Sequence, residues 1–439
     1  MLFVCALCLV SNFCFISSTL VNVDLVYDWI GQFDSLLSPS PHKEFLALFA
    51  WFTPLRTEGN STDTSAADSL AGAKREFESL KADFNANPSK YMGKLDLNIF
   101  RSLINGLFQA EGTLGVYFQP KALSKGTISL YSHFAIGQNY SFEAALLLLQ
   151  LQHVLEGIGY FKFELTSSGS LHIKFIVYST TDILTVVIPY LNEVYGQKAW
   201  SVQVFPIIHQ IAATLCGCWD STKATLLVYL VYSLNPEGND RKLTLGDLLN
   251  KLGLSFPASA PELPTFIENN KLPSIAFILG FFLGDGSLGI TLDDPKARYP
   301  MFYVKLFFEL IQMTSKHTLH MFSLFSQTLS IYFKVSISSG VGGMTRLSVA
   351  GLRVATHVLP VLSQFSNLLY WKKGQFFLAS EVSTLLLNKS HLTREGLLKI
   401  VHLLYSSPVN SRKEPIEHWL KLIGEAFPAG SKPRRGAKR

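Results

Sequence analysis

The stretch GFFLGDGSLGI, residues 280–290, decides how this chain of 439 residues is read. It contains G-x-G-x-x-G at Gly284, Gly286 and Gly289. A dinucleotide fingerprint needs a strand before those glycines and a helix after them, so that the helix N-terminus meets the pyrophosphate. Here the order is reversed. Residues 271–284 are apolar at helical spacing and predict a helix, and 287–292 read as a strand. The glycines therefore do not suit a nucleotide phosphate.

The same order occurs once before. Leu97, Ile99, Phe100, Leu103, Ile104, Leu107 and Phe108 recur at helical spacing, Glu111-Gly112 follows, and 113–118 reads as a strand. INGLFQAEG from Ile104 aligns with ILGFFLGDG from Ile278, 174 residues on (278 − 104), with Ala110 in place of the first glycine. Gly115 and Gly289, Gln138 and Gln312, and Lys198 and Lys372 keep that offset of 174, and Val231-Tyr232-Ser233 matches Leu404-Tyr405-Ser406 one residue off it. Separated landmarks sharing one period mark a tandem duplication.

Each half predicts the same series. Helices are expected at 142–156 and 317–329, and further strands at 127–136, 159–165, 171–179, 302–310, 331–337 and 345–350. Thr127, Ser129, Tyr131 and His133 alternate with apolar residues, as do Ser170, His172 and Lys174, so each sheet has one polar face and one face for helices. Phe307 and Phe308 read as core. The fold class is α+β: pseudo-symmetric tandem αββαββα repeats forming a saddle, plus an N-terminal extension. The divisions read from composition are an extension, leader and linker at 1–95, repeats at 96–233 and 264–415, an inter-repeat linker at 234–263, and a C-terminal helix with a basic tail at 416–439.

Composition narrows the partners. The net charge of +6 suits nucleic acid or an anionic surface without proving either. Mean hydropathy is +0.25, so membrane segments have to be considered. Residues 1–23 carry no charge and are long enough for a marginal span, but lack the positive start of a signal peptide. The odd set Cys5, Cys8, Cys14, Cys216 and Cys218 argues against a disulfide framework, and no second Cys/His pair stands at zinc spacing. Asn60-Ser61-Thr62 matches a glycosylation sequon and, without a secretory context, carries no weight. Residues 56–94 read as a polar linker with one helix around 73–84.

The duplicated helices end in Glu111 and Asp285, and Gly106, Ala110, Gly280 and Gly284 place small residues four apart on one face. Such a face lets two helices approach backbone to backbone. If the halves pack through them, the two acids meet. Adjacent carboxylates repel unless a cation lies between them. Hard oxygen donors suit Mg²⁺, and metals bridging carboxylates and phosphate promote phosphodiester hydrolysis. Lys198 and Lys372 each follow their acid by 87 residues (198 − 111, 372 − 285) and could steady charge on a phosphate. Gln138 and Gln312 could position water. Thr127, Ser129, Tyr131, His133, His172, Lys174 and Lys305 are candidate DNA contacts on the polar faces, since a β-ribbon can read base edges in the major groove. Each of these residues also has an ordinary surface reading. For the acids that reading is solvated carboxylates at helix C-termini, and it is disfavoured because an anion there opposes the dipole and here the arrangement occurs twice.

GLFQAEGTLGVYF and ILGFFLGDGSLGI resemble the two signature motifs of the LAGLIDADG homing endonucleases, in the single-chain, two-motif form. LLLNKSHLTREGLLKIVHLLYSSPVNSRK resembles the tail of that family's second repeat. The likeness spans roughly 96–415 and leaves the first 95 residues unexplained. It implies Glu111 and Asp285 as metal-binding catalytic acids, with Gln138, Gln312, Lys198 and Lys372 as peripheral active-site residues. Gln109 and Leu283 depart from the signature, which has Asp at that helix-packing position. The resemblance further implies a monomer that cuts double-stranded DNA at a long asymmetric target with Mg²⁺. It also implies coding within an organelle intron, in the mitochondrion or alternatively the chloroplast. The alternatives are an RNA maturase that binds host intron RNA on the same scaffold, and a membrane protein anchored by residues 1–23.

Overall fold

The computed structural model describes residues 64–119, 128–166, 169–215, 220–234, 243–293, 302–340, 342–406 and 414–427. The leader, all five cysteines, Thr127 and the basic tail lie outside them, so the readings made on those residues meet no structural counterpart.

Two four-stranded antiparallel sheets carry the fold. The first contains β1 (Thr113–Phe118), β2 (Leu130–Asn139), β3 (Tyr160–Leu165) and β4 (Leu171–Val177) in the order β1-β2-β4-β3. The second contains β5 (Gly286–Asp293), β6 (Tyr303–Met313), β7 (Ser336–Ser339) and β8 (Met344–Ala350) in the order β5-β6-β8-β7. The first hairpins share a register: Gly115 faces His133 as Gly289 faces Phe307. This is the duplicated α+β architecture that the 174-residue offset predicts.

Several elements differ from the periodicity reading. β2 and β6 run on to Asn139 and Met313, which brings Gln138 and Gln312 into the ladders. β7 begins only at Ser336, because 331–335 forms a turn in which the amides of Tyr332 and Phe333 bond the Leu329 carbonyl. Phe333 then reaches the core from that turn, an apolar residue whose burial does not depend on strand pairing. Phe308 is core and stacks on Phe282 at 5.2 Å between centroids. Its neighbour Phe307 lies on the opposite, open face, half-buried over Gly289, because successive strand residues alternate.

Helices Phe142–Val154 and Lys316–Leu329 cover the apolar faces of the two sheets. The polar stretch 56–94 holds a helix longer than its composition suggests, Thr64–Ala86. Ala73, Phe77, Leu80 and Phe84 form its buried stripe at helical spacing. Phe77 meets Phe161 and Phe163, and Phe84 meets Tyr91, so the helix is bound to the first half by rings. Burying a phenylalanine of this kind stabilises by about 2–3 kcal/mol.

The most extensive helix–helix contact among the described residues joins Leu97–Glu111 to Ile275–Asp285, hereafter the junction helices. Asp96 caps the first, accepting from the amides of Asn98 and Ile99 at 2.8 and 3.1 Å, and Ser274 caps the second through Phe277 at 3.1 Å. Their crossing leaves no room for a side chain. A Cβ on Gly106 would stand 1.8 Å from the carbonyl oxygen of Phe277, and one on Gly280 would stand 1.8 Å from that of Leu103.

Gly106→Val or Gly280→Val is therefore expected to force the halves apart and to cost about 3 kcal/mol or more, read as a lowered urea midpoint. Gly72→Ala meets nothing within 4 Å and sits in a helix, so it should leave stability unchanged or raise it by up to about 1 kcal/mol.

Candidate active site at the joint of the two halves

The sequence past the crossing sets the site. Both junction helices end in a glycine with extended backbone, Gly112 (φ −77°, ψ 153°) and Gly286 (φ −97°, ψ 156°). Neither needs a left-handed φ; glycine is required because a Cβ would stand 2.0 Å from the Phe108 ring or 2.2 Å from the Phe282 ring. The same rings carry the lysines. Lys198 Nζ lies 5.0 Å from the Phe108 centroid and donates to the Gly112 carbonyl. Lys372 Nζ lies 5.6 Å from the Phe282 centroid and donates to the Gly286 carbonyl at 2.8 Å. Each ammonium is thus fixed at the end of the helix that carries an acid.

The acids meet across the joint. A Cβ on Gly284 would stand 2.8 Å from Cγ of Glu111 and 2.5 Å from Cβ of Ala110, so glycine there makes room for the opposing carboxylate arm. Gln312 Nε2 donates to Asp285 Oδ2 at 2.5 Å. Gln138 Nε2 is buried without a protein partner. The structure therefore gathers Glu111, Asp285, Lys198, Lys372 and Gln312 around one point, and it leaves Gln138 without the counterpart's bond.

A polar bracket holds the joint from below. Arg101 donates through Nε to the Tyr190 carbonyl at 3.0 Å and through its terminal nitrogen to that of Pro189. Asn105, fully buried, donates to Tyr190 O at 3.1 Å and accepts from the Glu193 amide at 3.0 Å. Glu193 accepts from Ser102 at 3.1 Å and from the Ser274 amide at 3.1 Å, linking both helix starts. Gln109, the departure from the signature, accepts from the Tyr195 amide at 2.8 Å. Its counterpart Leu283 is buried.

Electrostatics follow from placing charges in a partly buried joint, where Glu111 stays exposed and Asp285, Lys198 and Lys372 are half-buried. Burial, and after it the Glu111 charge, push the Asp285 carboxyl up to about 6 against the pull of both lysines. Burial lowers the Lys198 ammonium to about 8, and it also lowers Lys372, while both acids oppose these shifts. The two carboxylates are hard oxygen donors and fit a hydrated divalent cation such as Mg²⁺. Among the described residues no cluster of three or more His, Cys, Asp or Glu side chains occurs, so any remaining ligands would come from main chain, phosphate or water.

The open sheet faces differ between the halves. On the first sheet a continuous row of rings runs over β1, β2 and β3 and the residue just past the end of β4. Tyr117 stacks on Tyr131 at 5.4 Å, Tyr117 meets His133 at 6.2 Å, His133 meets Tyr178 at 5.3 Å, and Tyr178 meets Tyr160 at 5.7 Å. Tyr131, Tyr160 and Tyr178 remain 41–46 % exposed. Burial and then Lys174 lower His133. Lys174 is not a free cation: its ammonium meets Glu164 at 2.5 Å, and Lys162 meets the same carboxylate at 2.8 Å. Ser129 is half-buried and its carbonyl accepts from the Gln119 amide, while His172 stands at the sheet end beside Asn139. The second face carries Lys305 opposite Thr291, together with Arg346, which is paired to Glu309 at 3.3 Å. Sequence reasoning passed over Tyr117, Tyr160, Tyr178 and Arg346. Period-two spacing from His172 and Lys174 is the signal that would have located Tyr178; Tyr117, Tyr160 and Arg346 lie on other strands, β1, β3 and β8, and join the faces only through strand pairing.

Residues 104–209 match the family model described as LAGLIDADG endonuclease. A structure of I-SmaMI bound to an uncleaved DNA target with calcium ions is similar at 20 % identity, covering 71 % of this chain and 98 % of that one, with a TM-score of 0.56. I-SmaMI bound to cleaved DNA gives 19 % identity, 72 % and 97 % coverage and a TM-score of 0.57. The homing endonuclease I-GzeII in complex with its DNA target gives 18 % identity, 72 % and 99 % coverage and a TM-score of 0.53. No curated protein sequence matches the chain. The family match thus falls on the first repeat, and the two repeats together have the fold of I-SmaMI and I-GzeII.

The charge arrangement has a measurable cost. Asp285 is raised above 3.8, so its contribution to stability is full below that value and is lost as pH rises through about 6. Lys198 is depressed below 10.5, so its contribution is full above that value and is lost as pH falls through about 8. In EDTA, Asp285→Asn is expected to melt above the wild type at pH 7, with the gain disappearing by about pH 4, where the wild-type carboxyl is protonated folded or unfolded. Thermal scans at the two pH values check this.

Proposed function

We propose that this chain is a metal-dependent, site-specific double-strand DNA endonuclease of the homing type. The observation that carries the reading is the joint itself: two carboxylates from twin halves, each with a lysine fixed at the same helix end, set between two sheets with open faces. Glu111 and Asp285 would hold Mg²⁺, which supplies Lewis-acid polarisation of the phosphodiester when bound. Lys198 and Lys372 face charge that grows on the phosphate, and Gln312 keeps Asp285 oriented. The water oxygen bonds to phosphorus, the ester P–O bond breaks, and the departing oxygen takes a proton. Because the open faces differ, the duplex target is asymmetric, and one chain supplies both halves, so the protein acts as a monomer. A homing endonuclease of this kind would be encoded in an organelle intron, in the mitochondrion or alternatively the chloroplast.

The row of rings on the first sheet favours one second reading, a maturase that binds host intron RNA. Aromatic side chains on a sheet stack unpaired bases. In that case the acids are dispensable, and a Glu111→Gln/Asp285→Asn double variant would still restore splicing of the host intron.

For the endonuclease, purified protein with Mg²⁺ should cut duplex DNA spanning the uninterrupted host junction. Glu111→Gln or Asp285→Asn should reduce cutting by roughly a thousandfold or more while fluorescence anisotropy shows retained binding. Full cutting by either variant would contradict the roles assigned.

A further inference from the structure

The helices Thr64–Ala86 and Pro88–Met92 precede the repeats, and one buried polar chain ties them to the far side of the joint. Gln150 sits in the helix Phe142–Val154 among Leu147, Leu148, Leu149 and Leu151 and is only 4 % exposed. An amide in such surroundings is costly unless both its ends are paired. Its Nε2 donates to the Tyr91 carbonyl at 2.9 Å, and its Oε1 accepts from the Tyr370 hydroxyl at 2.7 Å. Tyr91 belongs to the extension, Gln150 to the first half and Tyr370 to the second.

Both ends of this bridge are themselves fixed. Tyr91 stacks on Phe84 at 5.4 Å between centroids and donates its hydroxyl to Asp83, which also accepts from Lys90 at 2.6 Å. Tyr370 is buried, has a φ of 39° and opens the single turn Tyr370–Lys372. Backbone of that kind persists in a residue with a side chain only where the surroundings hold it. Within the same turn Trp371 donates to the Leu283 carbonyl at 3.0 Å, and the Lys372 amide donates to the Leu369 carbonyl at 2.7 Å. The turn ends on the ammonium that donates to the Gly286 carbonyl.

The other half has no copy of the bridge. At the positions 174 residues away, Leu324 stands for Gln150 and Gly196 for Tyr370. Leu324 is buried and has no polar atom to offer, and Gly196 has no side chain and lines an open cavity of about 350 Å³. The two polar partners therefore occur together and only at the end of the joint that the extension reaches.

Resting on the endonuclease reading for the part Lys372 plays, we infer that the N-terminal extension is a positioning element for Lys372. Through Tyr91, Gln150 and Tyr370 it holds the turn that carries this ammonium to the joint. Gln150 and Tyr370 are positioning residues, acting on Lys372 and through it on the reaction.

The test labels the full chain with acetic anhydride at one pH and reads each lysine by mass spectrometry, with exposed Lys251 as internal standard. Tyr370→Phe keeps the ring and removes the donor, and Gln150→Leu copies the other half. In either variant acetylation of Lys372 should rise roughly fivefold, the protection one buried hydrogen bond gives, while that of Lys198 stays as in the wild type. Asp83→Ala/Tyr91→Phe, which alters only the extension, should raise Lys372 acetylation as well. With Mg²⁺ and duplex DNA spanning the uninterrupted host junction, Tyr370→Phe should cut roughly tenfold more slowly at saturating protein, with binding by anisotropy unchanged. Gln150→Leu/Tyr370→Phe should cut no more slowly than either single variant, since both remove one bridge. Unchanged Lys372 acetylation in Tyr370→Phe and Gln150→Leu overturns the inference. So does an equal rise at Lys198, a rise absent from the extension variant, or cutting by Tyr370→Phe at the wild-type rate. Wild-type protein that cuts no DNA refutes the endonuclease reading, and the acetylation pattern still decides whether the extension holds Lys372.

Discussion

The structure depends on one contact: the junction helices cross with main chain against main chain at Gly106 and Gly280. A single methyl group on either glycine would overlap a carbonyl oxygen of the other helix. Everything chemical at the joint follows from that closeness. It brings Gly284 against the side chain of Glu111, sets Asp285 beside it, and leaves the two helix ends with their lysines on either side. Helices held further apart by side chains, at the usual separation of about 8–10 Å, would set the two carboxylates further apart.

The site is built at a cost to the fold. Asp285, Lys198 and Lys372 are half-buried, and each is displaced toward its neutral form. That cost is offset elsewhere, by the capped helix starts, the buried ring pairs and the Arg101, Asn105 and Glu193 bracket that ties the helix starts to the segment before Lys198. Stability stored elsewhere in the fold allows these displaced charges to persist at the joint.

Duplication followed by divergence gives the molecule two kinds of asymmetry. Along the open faces, rings and paired lysines on the first sheet contrast with Lys305, Arg346 and hydroxyl groups on the second. At the joint, Gly196 opposite Tyr370 turns one end into a cavity and the other into packed rings.

The sequence by itself determined the repeat, the order of helix, acid, glycine and strand, and the pairing of Glu111 with Asp285 and of Lys198 with Lys372. Those features are periodic or offset-related, and both are properties of one dimension. It also marked the apolar and polar faces of the strands, because a strand alternates with period two whatever it packs against. Tertiary structure decided the rest. Lys174 loses its free charge to Glu164 on the neighbouring strand, Phe307 sits outside the core beside a buried Phe308, and Gln109 serves the Tyr195 amide in place of the signature acid. Gln312 reaches Asp285 while Gln138 reaches no protein acceptor, and one end of the joint is open. Each of these outcomes depends on distances between residues far apart in the chain, which burial and backbone closeness set and which no local pattern encodes.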